Sequence, residues 1–181
     1  MSAEVMNQMA DMPQPDMSCV PYGRKRLYLL LTVPYLLLLL AVIVYLWTFS
    51  FVLSLLLILI YALTCRFQAY CCAYQDCPYV GGFCPAVAGI MPASLLAKTM
   101  YGQGRIVKSK RMFETQATLG FSALLALTFF PLYWIAKLGW PFAVGYVACH
   151  LVYYGFFLFA ICPACAIRDI CPGGRVQGMF R

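Results

Sequence analysis

From residue 27 to residue 63 no side chain is charged, and the polar positions reduce to scattered Thr, Ser and Tyr. As one helix these 37 residues would reach about 55 Å at about 1.5 Å per residue, well beyond a hydrocarbon core of about 30 Å. The stretch must therefore fold back. Its least apolar point is Trp47-Thr48-Phe49-Ser50, with an interfacial tryptophan, which predicts a first helix near 27–46 and a second near 51–67. Pro34 is a candidate kink in the first helix. A second apolar pair follows over 116–136, with Pro131 as its candidate kink, and 142–161. A turn at Lys137-Leu138-Gly139-Trp140-Pro141 joins the two.

The expected fold is an all-α integral membrane protein of four transmembrane helices arranged as two hairpins. Residues 1–26 form a polar leader, 27–67 the first hairpin, 68–115 a connection, 116–161 the second hairpin and 162–181 a tail. Composition supports this reading. Hydrophobic residues make up 64% of the 181 and charged residues 10%, with a mean hydropathy of +0.81, whereas soluble domains carry about 25% charge. An ordinary water-soluble domain is excluded. The leader carries Glu4, Asp11 and Asp16 and lacks the basic-then-apolar order of an export signal, so the first span is expected to stay in the mature chain. Within the connection, 92–100 can form a short helix along the membrane surface, with Leu95, Leu96 and Met100 on one face and Lys98 on another.

Charge sets the orientation. Twelve of the thirteen Lys and Arg residues lie in the leader, connection, tail or adjoining helix ends, on one side of a four-span chain, and only Lys137 lies on the other. The positive-inside rule then places both termini and the connection in the cytoplasm. Orientation also accounts for the net charge of +7 without nucleic acid as a partner, because the basic residues flank the spans and form no stripe of their own. The loop Gly102-Gln103-Gly104-Arg105 has neither a preceding strand nor a following Lys-Ser pair, so it is not a phosphate-binding loop.

The candidate chemistry is in the cysteines. Eight of the ten lie near two helix ends: Cys65, Cys71, Cys72, Cys77 and Cys84 by the second, and Cys162, Cys165 and Cys171 by the fourth. The halves repeat weakly. Each reads hairpin, cysteine cluster, Cys-Pro and a glycine pair, and five residues separate Cys71 from Cys77 and Cys165 from Cys171. A reducing cytoplasm disfavours a disulfide framework. Metal ligation, thiol redox chemistry at the vicinal Cys71-Cys72 pair, and lipidation stay open. Zinc competes for the site because Cys162-x-x-Cys165 has the spacing of a tetrahedral half-site. Iron–sulfur clusters are the first reading, since Cys77, Cys84, Cys162 and Cys171 are each followed by proline, as in the terminal Cys-Pro of ferredoxin runs. Eight thiolates suit two four-iron clusters. Gly81, Gly82, Gly173 and Gly174 would let backbone amides approach the sulfurs.

Four spans with Gly81-Gly82-Phe83-Cys84-Pro85 after the second and Asp169-Ile170-Cys171-Pro172-Gly173-Gly174 after the fourth resemble the membrane polyferredoxin-type quinol-oxidising subunits of periplasmic nitrate reductase and nitrous-oxide reductase systems. The likeness covers the architecture and these two short motifs. It implies electron exchange with quinone. The chain is small and has almost no external surface, so it is expected to work inside a larger redox complex, with partner subunits covering part of the helices.

The remaining candidates are weaker. His150, the only histidine, is expected to be a hydrogen-bonded packing residue, with haem ligation or a quinone contact as the functional alternative; a bis-histidine haem within one chain is excluded. The tyrosines and tryptophans fit interfacial belts. Asp76 and Asp169 read as solvated loop charges. Cys149 reads as a small buried apolar residue and Cys19 belongs to the leader. With no paired carboxylates in the spans and the histidine far from the cysteine clusters, ion-coupled transport and hydrolase chemistry lack their residues.

Overall fold

The structure is a computed structural model that describes residues 23–75, 77, 79, 96–101 and 109–165. Among these residues there are only helices and turns. Helix α1 spans Lys25–Trp47 and α2 spans Phe51–Tyr74. Helix α3 covers Lys110–Phe129 and resumes after a two-residue break as the short α4, Leu132–Ala136. Helix α5 covers Trp140–Phe156 and runs on through a π-helical turn, Phe157–Ile161, and a 3₁₀ turn, Cys162–Ala164. Four of the resulting segments are long and apolar enough to cross a membrane. Between 22% and 28% of each hydrophobic window is buried, so most of each segment faces outward, as lipid-exposed helices do.

Local chemistry explains the two hairpins. Between α1 and α2 the Thr48 hydroxyl donates to the Tyr45 carbonyl at 2.7 Å, and the Ser50 hydroxyl caps α2 by accepting from the Val52 amide at 3.3 Å. The Ser54 hydroxyl then reaches across to the Ile43 carbonyl at 2.8 Å, pinning the register of the two helices. In the second hairpin Pro131 supplies no amide hydrogen, and the helix breaks there as the sequence predicts. The turn into α5 runs through Gly139 at φ +130°, a conformation that side-chain-bearing residues rarely adopt. Helices α2 and α3 pack closely where Gly120 faces Phe67: a Cβ on Gly120 would lie 3.2 Å from that of Phe67. Further along the same seam Tyr74 stacks on Phe113 at 4.6 Å.

Three expectations change. The second helix continues to Tyr74 rather than ending near residue 67, because 68–74 contains no glycine or proline. The first breaker is Pro78, which also disfavours helix at residue 77. Cys71 and Cys72 therefore lie inside α2, as Cys65 does, and not after it. The third helix starts at Lys110 rather than 116, with a weak Lys110–Glu114 pair at 4.0 Å along its first turn. Of the surface helix expected over 92–100, the described part is a π-helical turn, Ala97–Tyr101, which docks on the end of α2 through buried Ala97 and an edge-to-face Tyr101–Tyr70 contact at 5.6 Å. Met100 is exposed there, and Leu96 is half-buried.

Candidate functional site

Two places collect the polar chemistry: one end of the bundle and its middle. The end is defined by two contacts. Ser54 is level with Ile43 through their hydrogen bond, and α1 and α2 are antiparallel, so stepping back along α1 from Ile43 to Arg24 corresponds to stepping forward along α2 from Ser54 to about Ala73. Arg24 in turn donates from Nη1 to the Ala160 carbonyl at 2.6 Å. Ala73 and Ala160 are thus at about the same height, and the cysteines beside them, Cys71, Cys72 and Cys162, share that end of the molecule.

Each helix end there holds a cysteine pair in a defined turn. The Cys77 amide donates to the Cys72 carbonyl at 3.0 Å, the six-to-one bond of a Schellman ending, and the Cys165 amide donates to the Cys162 carbonyl at 3.0 Å. Cys77 and Cys162 are buried in the bundle core, and Cys72 and Cys165 pack against that core half-buried. Cys71 is half-buried as well. Cys65 is set deeper, buried in α2. Among the described residues no three His, Cys, Asp or Glu side chains come together as a metal-ligating group. Cys84 and Cys171, with Asp76, Asp169 and Cys19, lie outside the described residues. The described thiols alone do not fit an iron–sulfur cluster or a complete zinc site. Cys149 is exposed on the outer face of α5, not buried as its apolar setting suggests.

The second place was not legible as a site from the sequence. Tyr28, Tyr35, Tyr146 and Tyr153 are buried inside the bundle, Tyr28 one turn from the start of α1, while the three tryptophans, Trp47, Trp134 and Trp140, lie at the hairpin end. Tyr35 is near the midpoint of α1 and stacks on Tyr153 at 3.9 Å with the rings nearly parallel. Its hydroxyl lies 3.2 Å from that of Tyr154, which is 3.1 Å from the Thr128 hydroxyl of α3. The Tyr146 hydroxyl donates to the Leu127 carbonyl at 3.2 Å. Thr32 and Tyr153 face each other at a longer 3.5 Å. By the Ser54–Ile43 register, Tyr61 of α2 is level with Leu36, at the same depth as Tyr35.

His150 is fully buried within this group. Its ring centre lies 4.3 Å from that of Tyr146, 5.2 Å from Tyr35 and 5.8 Å from Tyr154. Its Nδ1 is 3.0 Å from the Tyr146 carbonyl one turn back, while Nε2 is buried with no hydrogen-bond partner. The expected packing histidine is therefore satisfied at one nitrogen only. The sequence signal for the cluster is the spacing Tyr28, Thr32, Tyr35 and Tyr146, His150, Tyr153, alternating fours and threes along one helix face.

No protein-family model, curated protein or solved structure matches the chain.

Proposed function

We propose that this chain is a multi-pass membrane subunit with both termini in the cytoplasm, whose thiol-rich end carries an iron–sulfur centre. It would pass single electrons between a redox partner and a membrane carrier such as quinone, inside a larger complex. The observation that carries this reading is the common height of two ordered cysteine pairs, Cys72/Cys77 and Cys162/Cys165, contributed by the two halves of the weak sequence repeat. Lipid-facing helices and the twelve-to-one distribution of basic residues support the membrane placement.

The reading requires Cys84 and Cys171 to complete the ligand set. When bound, a cluster would supply one-electron chemistry, and the chain's part is to hold the thiols at one end of a rigid bundle. A zinc-stabilised structural or assembly subunit is the second reading, supported by the Cys162-x-x-Cys165 spacing of a tetrahedral half-site and by the 3.0 Å Cys165 amide to Cys162 carbonyl bond that closes the chain between them. Absorption separates the two. The iron–sulfur reading predicts a brown protein when it is purified without oxygen, with visible absorbance lost in Cys77→Ser and Cys171→Ser but kept in Cys149→Ser. A colourless protein, or absorbance untouched by both Cys77→Ser and Cys171→Ser, removes it.

A further inference from the structure

We propose that His150 is a proton-accepting site at the middle of the membrane, its Nε2 taking a hydrogen bond from a water molecule held in the tyrosine cage. A carbonyl oxygen only accepts, so the 3.0 Å contact to the Tyr146 carbonyl makes Nδ1 the donor and fixes the neutral tautomer. Nε2 then carries a lone pair, and it is buried with no partner. A buried acceptor left unmade costs about 1–3 kcal/mol, and a histidine inside a membrane span is costly before that.

The surroundings suit water. Tyr35 from α1 and Tyr146 and Tyr154 from α5 are the titratable groups around the imidazole, Thr128 of α3 extends the hydroxyl chain, and Tyr61 represents α2 at this depth. The hydroxyls of Tyr35, Tyr154 and Thr128 form a connected run, and the two tyrosine rings that carry it neighbour the imidazole, a polar setting of the kind in which internal waters occur. Among the described residues the charged side chains lie toward the helix ends, apart from Arg66, which is exposed on α2. No carboxylate among them would hold an imidazolium. Its charge would rest on the Tyr146 carbonyl and among neighbouring aromatic rings, the nearest centred 4.3 Å away. The step balances without a co-reactant: water donates to Nε2, a proton arriving on that water moves to the nitrogen, and it leaves by the same route.

The chain offers a clean test because His150 is its only histidine. The full chain labelled with ¹⁵N-histidine and reconstituted in vesicles should give one imidazole, protonated at Nδ1, with Nε2 shifted as a hydrogen-bonded acceptor and receiving magnetisation from water. On acidification it should convert reversibly to imidazolium. A bare Nε2 with no transfer from water, or a neutral ring protonated at Nε2 instead of Nδ1, overturns the proposal.

Discussion

Tyrosine is an awkward residue for the middle of a bilayer unless its hydroxyl is paired, and among the described residues the buried Tyr35, Tyr146 and Tyr153 pair theirs, while the buried Tyr70 hydroxyl near the end of α2 has no partner. Tyr35, Tyr154 and Thr128 form a run of hydroxyls between three helices, and Tyr146 donates to a backbone carbonyl. The rings do most of the packing and the hydroxyls select partners. Tyr35→Phe keeps the stack on Tyr153 and loses one interhelical hydrogen bond, which should cost about 0.6 kcal/mol. Tyr35→Ala empties a buried aromatic site and should cost about 3–5 kcal/mol. Reversible unfolding in mixed detergent micelles would measure both, and equal losses would show that the ring contributes little.

At the level of the helices, the sequence shows where segments run and hides which face is inward. Apolar length marked four spans, and Pro131 and Gly139 marked the second hairpin's break and turn. Facing was hidden because the outward surfaces are as apolar as the core, so Leu37 and Leu40 on the outside of α1 look like Leu39 on the inside. The residues that reveal facing are the polar and aromatic ones, Thr32, Ser54, Thr128 and His150, each buried. The thiols expected beyond the second span were misplaced by the sequence, because α2 continues past residue 67 and carries Cys65, Cys71 and Cys72 along its last turns. Turn chemistry gives a sharper test. Gly139→Ala places a Cβ at φ +130° and should cost about 1–3 kcal/mol in the same unfolding assay. An unchanged midpoint would mean that the turn relaxes at no cost.

The whole molecule has two unlike ends. At the hairpin end Lys137 lies 5.7 Å from the centre of the Phe49 ring and 4.8 Å from that of Tyr133, bringing the two tips together, with the three tryptophans nearby. The other end carries the remaining described cations, apart from Arg66 within α2, and the cysteine pairs. If that end is cytoplasmic, trypsin added to inside-out vesicles should cut the chain in the connection and tail, while right-side-out vesicles should expose at most the Lys137 bond. The reverse pattern would invert the topology and move the thiols to an oxidising side, where disulfides would replace metal as the first expectation.

The central claim is that the two thiol-bearing halves hold iron and sulfide together. Its most direct test is the amount of iron, zinc and acid-labile sulfide per chain in protein purified without oxygen, with paramagnetic resonance of the reduced sample. Iron and sulfide in equal amounts, about four or eight of each per chain as one or two four-iron clusters require, are predicted. Zinc without sulfide, or no metal on a folded chain, would contradict it.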